Sequence, residues 1–304
     1  MKKSFLVLLL IFLGLMVSGC GSDKETKDST GKPVVYTSFY LMSDLTKKIG
    51  GDRIEVITLV PSGVEPHDWE PTTADLVSLE KAKILIYNGA GMEHWVDKVV
   101  DSLKNKELVL VETAQKIPLE DSSGDSAHSH AHDPHVWLNP LYAKEQMAAI
   151  RDGLVKIDPA NKDYYEGNYQ KYAQDMDKLD QEIQGMITPL SKKEIVVSHA
   201  AFGYFCDRYG LKQIAIRGIS PEEEPDPARM ATVIELVKKH GIKVIFFEGM
   251  ASPKVSEVIA KESGARTAQL NPLEGLSEEE IKEGADYFSV MRQNAQEIQK
   301  ALTE

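Results

Sequence analysis

The sequence predicts an α/β fold of two lobes, each a parallel sheet flanked by helices, joined by one long spanning helix. Short β-rich runs alternate with helical runs over residues 33–111, and the same alternation returns from residue 195. Between these parts, residues 158–190 show one long helical pattern. Alternation of this kind is typical of parallel strands whose connecting helices cover the faces of the sheet.

The first lobe is expected to occupy residues 33–157. In chain order, its predicted elements are strand 34–38, helix 40–50, strand 54–60, helix 72–82, strand 84–87, helix 92–103 and strand 108–111. The first helix is expected to end at the pair Gly50-Gly51, because glycine favours the backbone conformation that follows a helix C-terminus.

The second lobe is expected to occupy residues 191–304. Its predicted elements are strand 195–198, helix 201–209, strand 213–216, helix 227–240, strand 244–248, helix 253–263, strand 266–270 and a last helix from about residue 285. The order of strands and helices resembles that of the first lobe, but the two parts share no repeat at the level of residues.

The linking helix, residues 158–190, is predicted from an apolar stripe. Its members are spaced by four and three residues in alternation: Tyr165, Tyr169, Tyr172, Met176, Leu179, Ile183, Met186 and Leu190. Pro159 fits the first turn of such a helix. A coiled-coil partner would explain the stripe. A helix laid along both lobes of the same chain explains it more economically.

The N-terminus predicts export. Residues 1–19 combine two lysines, an apolar run and a small pair, which is typical of a signal peptide, although a retained hydrophobic anchor is an alternative. Val-Ser-Gly-Cys resembles the lipobox of bacterial lipoproteins, which implies that Cys20 is lipidated after cleavage. Residues 20–32 then form the lipidated cysteine and a flexible tether. We expect a chain anchored by lipid at the extracytoplasmic face of the cell membrane.

The composition excludes some partners. The chain has 304 residues and a formal net charge of -12, which argues against nucleic acid, whose phosphates need a basic face. Cys206 is the only cysteine besides Cys20. With Cys20 assigned to lipid, Cys206 has no disulfide partner and is expected to be a small buried hydrophobe.

Three histidines lie where predicted strands end. His67 follows strand 54–60, His135 lies on the loop after strand 108–111, and His199 follows strand 195–198. Two carboxylates, Glu248 and Glu274, lie at further strand exits. Sites in open α/β sheets gather outside the carboxyl ends of strands, and three imidazoles with one carboxylate suit tetrahedral zinc. Copper binds such nitrogens as well, so the spacing leaves it open.

Five motifs occur in order within residues 60–277: SGVEPHDWEPT, DPHVWLNP, VSHAAFGYF, GISPEEEPDP and LNPLEGLS. Together they resemble the zinc-type members of the metal-receptor family, the lipoprotein substrate-binding subunits of bacterial ABC importers. The resemblance implies a metal between the lobes, with His67, His135 and His199 as ligands and Glu274 at a fourth position that can also be water. Manganese-type relatives carry glutamate at the third position, so His199 favours zinc. Glu248 matches no ligand position and is expected to support a strand end.

The loop 121–135 is rich in histidine. The resemblance implies that this loop corresponds to an insertion that zinc-type relatives carry before the second ligand motif. His128, His130 and His132 either capture zinc weakly or belong to a surface loop without a function of its own. Asp121, Asp125 and Asp133 are interpreted as acidic members of the same loop. His94 is interpreted as a surface or packing residue and His240 as a helix-end residue.

The resemblance implies a monomeric zinc-binding protein that delivers Zn²⁺ to an ABC transporter permease and its ATPase. Binding of manganese or another divalent metal is the first alternative. A secreted zinc hydrolase with Glu248 or Glu274 as base is the second; the sequence lacks HExxH, and we expect no enzyme. Adhesion, a function attributed to some relatives, has no direct support in the residues.

Trp69 and Trp137 each lie two residues after a proposed ligand. We expect them either to shield the site from water or to pack in the core.

Overall fold

The structure is a computed structural model that describes residues 31–120 and 132–304. The predicted signal peptide, Cys20 and most of the tether lie outside these ranges, as do His128 and His130. The expectations for those residues therefore stay predictions. Within the described ranges, no helix combines the length and the apolar character that a bilayer crossing requires.

The first sheet contains four parallel strands in the order β2-β1-β3-β4. The strands are β1 (Val34–Thr37), β2 (Glu55–Thr58), β3 (Ile84–Tyr87) and β4 (Val109–Glu112). The helices of this half are α1 (Tyr40–Gly50), α2 (Thr73–Leu79), α3 (Val96–Ser102) and α4 (Pro140–Ile157). All four strands were predicted, with ends within about two residues.

The second sheet repeats this topology in the order β6-β5-β7-β8, again with parallel strands only. Its strands are β5 (Glu194–Val197), β6 (Lys212–Ala215), β7 (Val244–Phe247) and β8 (Arg266–Gln269). Its helices are α6 (Gly203–Tyr209), α7 (Pro227–His240), α8 (Lys254–Ser263), α9 (Glu278–Lys282) and α10 (Tyr287–Thr303). The predicted fold class is confirmed, and α9 is an addition to the predicted elements.

One predicted helix starts late. α3 begins at Val96 rather than at residue 92, because a tight turn follows β3. The buried Glu93 carboxylate closes this turn by accepting the backbone N–H groups of Asn88 and Gly89, both at 2.9 Å. Ala90 within the turn has a positive φ of 54°. The backbone therefore cannot be helical there.

Helix α4, Pro140–Ile157, was not predicted from the sequence. Its start has two recognisable signals, since the Asn139 side chain accepts the N–H of Leu141 at 3.0 Å and Pro140 lies in the first turn. Its buried face follows helical spacing: Ala143, Met147, Ile150 and Leu154 are fully buried. These signals end the DPHVWLNP motif, for which the sequence predicts a loop.

The spanning helix α5 (Lys162–Ile187) follows a 3-10 turn at Pro159–Asn161. Its 26 residues give a length of about 39 Å at 1.5 Å per residue. It packs on α1 and α4 from the first half and on α10 and α6 from the second. The stripe thus packs within one chain, as the more economical interpretation predicted, with four of its eight members buried and four half-buried against the core. The exact lobe boundaries at residues 157 and 191 stay a prediction.

One continuous core joins the two halves. A single cluster of buried apolar side chains includes Ile84 next to the first sheet, Met176 in α5 and Ile195 in the second sheet. Cys206 is buried in the same cluster, and burial raises the pKa of its thiol. A core shared in this way favours a fixed relative placement of the two lobes over wide hinge opening.

Candidate metal centre

Four buried side chains converge in the seam between the two sheets. His67 follows β2, His135 lies between β4 and α4, His199 comes two residues after β5, and Glu274 follows β8. One donor atom from each lies within 4.8 Å of the others, and the residues are at most 6% exposed. Among residues 31–120 and 132–304, this is the only group of His, Cys, Asp or Glu close enough to hold a metal ion.

Five of the six distances between the donor atoms are close to the edges of a tetrahedron. The Nε2 atom of His135 lies 3.3 Å from Nε2 of His67 and 3.4 Å from Nε2 of His199. The Oε1 atom of Glu274 lies 3.4, 2.9 and 3.2 Å from Nε2 of His67, His135 and His199. A tetrahedral zinc ion with bonds of about 2.0–2.1 Å requires neighbouring donors about 3.3–3.4 Å apart. The observed distances fit a small tetrahedral cation.

A carboxylate orients the ring of His135. The Oδ1 atom of Asp133 lies 2.7 Å from His135 Nδ1 and also accepts the backbone N–H of His135 at 2.9 Å. This contact holds one ring proton on Nδ1 and turns Nε2 towards the centre, where it can bind a metal once its own proton is lost. From the sequence alone, Asp133 is predicted to belong to the acids of the histidine-rich loop. Its position directly before Pro134 and His135 was the signal that could have indicated a role beside the metal centre.

Glu248 gives His199 the same support. Its Oε1 atom lies 2.7 Å from His199 Nδ1, and it also accepts the hydroxyl of Ser198. Glu248 is 4% exposed and lies just beyond β7. It is not a member of the converging donor group. Histidine ligands of metals regularly donate their second ring N–H to such a carboxylate.

The four groups perturb one another strongly. Burial opposes a charged imidazole at His135, but Asp133 and Glu274 outweigh it and raise the pKa of His135 to about 9. Burial likewise opposes charge at His199, and Glu248 with Glu274 outweighs it and raises the pKa of that histidine well above its usual value. Burial lowers the pKa of His67.

The carboxylate of Glu274 responds in the opposite direction. Burial alone would raise its pKa, but the surrounding histidines, His199 foremost, hold the pKa of Glu274 well below its usual value. Burial and the charge of Glu274 raise the pKa of the neighbouring Glu65 to about 8, and Glu65 accepts the backbone N–H of His67 at 3.1 Å. Sequence reasoning did not single out Glu65.

The remaining histidines of the described ranges lie outside the donor group. His94 is exposed and lies 3.1 Å from Glu70, and His240 at the end of α7 contacts Glu194. His132 is half-buried at the edge of the histidine-rich loop. The two tryptophans differ, because Trp137 packs against the ring of His135 with centroids 5.3 Å apart, whereas Trp69 packs on Trp95.

Replacing Glu248 with Gln tests the support of His199. The amide keeps the shape of the side chain but removes its charge. The imidazole of His199 therefore becomes less basic and less well oriented. We expect metal affinity to fall by about 10–100-fold, the range seen when partners of metal-bound histidines are lost. Competition with a chromogenic chelator measures this change. Glu279→Gln on the exposed side of α9 is the matched control, and an equal loss in both variants would contradict the role of Glu248.

Three histidines and a carboxylate buried between two α/β lobes define a metal-binding protein. Residues 35–301 match the family described as ZnuA, zinc-uptake complex component A, periplasmic. The chain belongs to this family of metal-binding substrate-binding proteins, as the motifs predicted.

Two relatives illustrate the match. The chain is 41% identical over 300 residues to the high-affinity zinc uptake system protein ZnuA of Bacillus subtilis, covering 95% of this chain and 94% of that protein. It is 36% identical over 311 residues to the zinc-binding lipoprotein AdcA of Streptococcus pneumoniae, covering 99% of this chain but only 62% of the longer relative.

Solved structures agree with the fold. The Zn(II)-bound ZnuA-like domain of Streptococcus pneumoniae AdcA is similar with a TM-score of 0.79 and 36% identity, covering 90% of this chain and 100% of that one. The laminin-binding protein Lmb of Streptococcus agalactiae, described as having adhesin and metal-transporting activity, has a TM-score of 0.81 and 30% identity, covering 89% and 99%.

Proposed function

We propose that this protein is an extracytoplasmic lipoprotein that binds Zn²⁺ through His67, His135, His199 and Glu274 and delivers it to the permease of an ABC importer. The observation that carries the proposal is the buried set of four donors at tetrahedral spacing. Relatives named as zinc uptake and zinc-binding proteins support the choice of cargo.

The donor chemistry favours zinc over manganese. Imidazole-rich, four-coordinate sites suit zinc, whereas manganese prefers more ligands and more oxygen. Only one of the four donors is an oxygen, and His199 supplies nitrogen where a carboxylate would favour manganese. Manganese or another divalent ion is the second candidate cargo.

The same geometry argues against a zinc hydrolase. A catalytic zinc keeps a position open for water, whereas the four side chains fill a tetrahedral shell. Glu248, one candidate base, contacts His199 Nδ1 and Ser198 instead of facing an open cleft, and it is 4% exposed. We therefore assign a transport function rather than a catalytic one.

The proposal includes a lipid on Cys20 that holds the protein at the outer face of the cell membrane. Residues 21–32 provide a tether of at most about 40 Å when fully extended. This length keeps the lobes near the membrane and lets a monomer find the permease, whose partner ATPase drives import. The lipoprotein relative of Streptococcus pneumoniae supports the anchor.

A crystal structure of the zinc-loaded protein tests the site, since anomalous scattering at the zinc edge identifies the metal together with its ligands. Growth in zinc-depleted medium tests the transport function. We expect a strain lacking the protein to grow poorly without added zinc, and the wild-type gene to restore growth. A metal bound elsewhere contradicts the site, and growth that is independent of the protein contradicts its role in uptake.

We further propose that the histidine-rich loop collects zinc weakly and is dispensable for the tight site. Asp133 N–H donates to the carbonyl of Glu120 at 3.0 Å, so the two ends of the loop already lie side by side. Replacing residues 121–132 with two glycines should leave the affinity of the tight site unchanged and remove weaker binding. Equilibrium zinc titration with a competing chelator measures both, and loss of the tight site would refute this division of roles.

A further inference from the structure

Trp137 ties the two lobes together beside the metal centre. It lies two residues after His135, and its buried indole Nε1 donates to the backbone carbonyl of Pro272 at 2.7 Å. Pro272 lies two residues before Glu274. One hydrogen bond therefore connects the chain segment that carries a first-lobe donor with the segment that carries the second-lobe carboxylate.

A second bond holds the same residue. The hydroxyl of Tyr287, at the start of α10, donates to the backbone carbonyl of Trp137 at 2.7 Å. Both residues are fully buried, with an exposed fraction of 0%. Trp137 is thus fixed to the second lobe through its side chain and through its main chain, and neither bond competes with water.

The segment that receives the indole is itself restrained. Leu273 has a φ of 66°, the left-handed region that costs energy for a residue with a branched side chain. Its N–H donates to the side chain of Asn271 at 2.7 Å, and the side-chain amide of Asn294 donates to the carbonyl of Asn271 at 2.7 Å. Glu274 therefore extends from a backbone with little freedom to shift.

We propose that the bond between Trp137 and Pro272 determines metal specificity. It sets the 2.9 Å separation of His135 Nε2 and Glu274 Oε1, so that Glu274 presents one oxygen to the centre and the shell closes at four donors. Manganese gains less from such a shell, because it prefers more oxygen ligands. This inference rests on the proposed zinc-binding function and adds a positioning residue that touches no metal.

The variant Trp137→Phe removes the indole donor and keeps an aromatic ring. We expect the ratio of zinc affinity to manganese affinity to fall by about 10-fold or more, within the range for loss of a supporting hydrogen bond at a metal site. The absorption spectrum of bound Co²⁺ should lose intensity, since a relaxed carboxylate lets the ion leave tetrahedral geometry. Trp95→Phe is the matched control, because Trp95 is also buried but its indole nitrogen has no hydrogen-bond partner among the described residues.

Tyr287→Phe, which removes only the hydroxyl, provides a second variant if Trp137→Phe does not fold. We expect the same direction of change, with a stable fold confirmed by thermal unfolding. A zinc-to-manganese ratio equal to that of the wild type in whichever variant folds would overturn the inference alone. Wild-type protein that binds no zinc would instead overturn the proposed function, so the two failures are distinguishable.

Discussion

Replacing His199 with Ala lowers zinc affinity by roughly 10²–10³-fold, because about 10–16 kcal/mol of binding at a closed zinc site is shared among four ligands. His199 is fully buried, and its Nε2 atom lies 3.2 Å from Glu274 Oε1 and 3.4 Å from His135 Nε2. No other histidine of the described ranges is close enough to replace it. Competition with a chelator of known affinity measures the loss.

Two control substitutions distinguish the loss of a metal ligand from the loss of a histidine that does not bind the metal. His94→Ala removes an exposed imidazole that lies 3.1 Å from Glu70, and His130→Ala removes one from the histidine-rich loop. Both should leave the tight affinity unchanged. If either variant loses as much affinity as His199→Ala, the assignment of the metal centre is wrong.

The sequence predicted the architecture well where the signal was local. Alternating β-rich and helical runs need only neighbouring residues to be recognised, and every described strand was expected from them. Helix α4 was not predicted, because its capping residue Asn139 and its first residue Pro140 end the same motif that carries His135. The loop predicted for that motif therefore included the start of the helix. The apolar face at Ala143, Met147, Ile150 and Leu154 was the signal that could have corrected it.

The converging donors could be predicted because parallel strands bring their carboxyl ends to one edge. The contacts of Glu248 and Trp137 could not, since they depend on distances between residues far apart in the chain. Asp133 reaches His135 within a short loop, whereas Glu248 reaches His199 from 49 residues away. Trp137 and Pro272 meet across 135 residues. The spacing of residues in the sequence does not indicate which distant residues contact each other.

Zinc affinity should fall steeply with decreasing pH. The pKa of His135 is raised to about 9 by Asp133 and Glu274 against the opposing effect of burial, and that of His199 is raised well above its usual value. The raised pKa values favour the doubly protonated imidazoles in the metal-free protein, and each ring must lose its Nε2 proton to bind zinc. Affinity then changes about tenfold per pH unit for each proton released, below the pKa of the group concerned.

Two measurements check this prediction. Chelator competition between pH 6 and pH 9 gives the slope, and calorimetry in buffers of different ionisation enthalpy counts the protons released at pH 7. Glu248→Gln should release fewer protons, because Glu248 is the largest cause that raises the pKa of His199. Affinity that is independent of pH in this range would show that the histidines are already neutral in the free protein.

The stability of the metal-free protein should change with pH in the opposite sense. A histidine whose pKa is higher in the folded state than its unfolded value of about 6.5 stabilises the fold fully below that value and loses its contribution as pH rises towards the folded pKa. For His135 this interval runs from about 6.5 to about 9. Between these limits, thermal unfolding of the metal-free protein should shift to lower temperature while zinc affinity rises. Both trends arise from the same proton, because zinc occupies the position that the proton leaves.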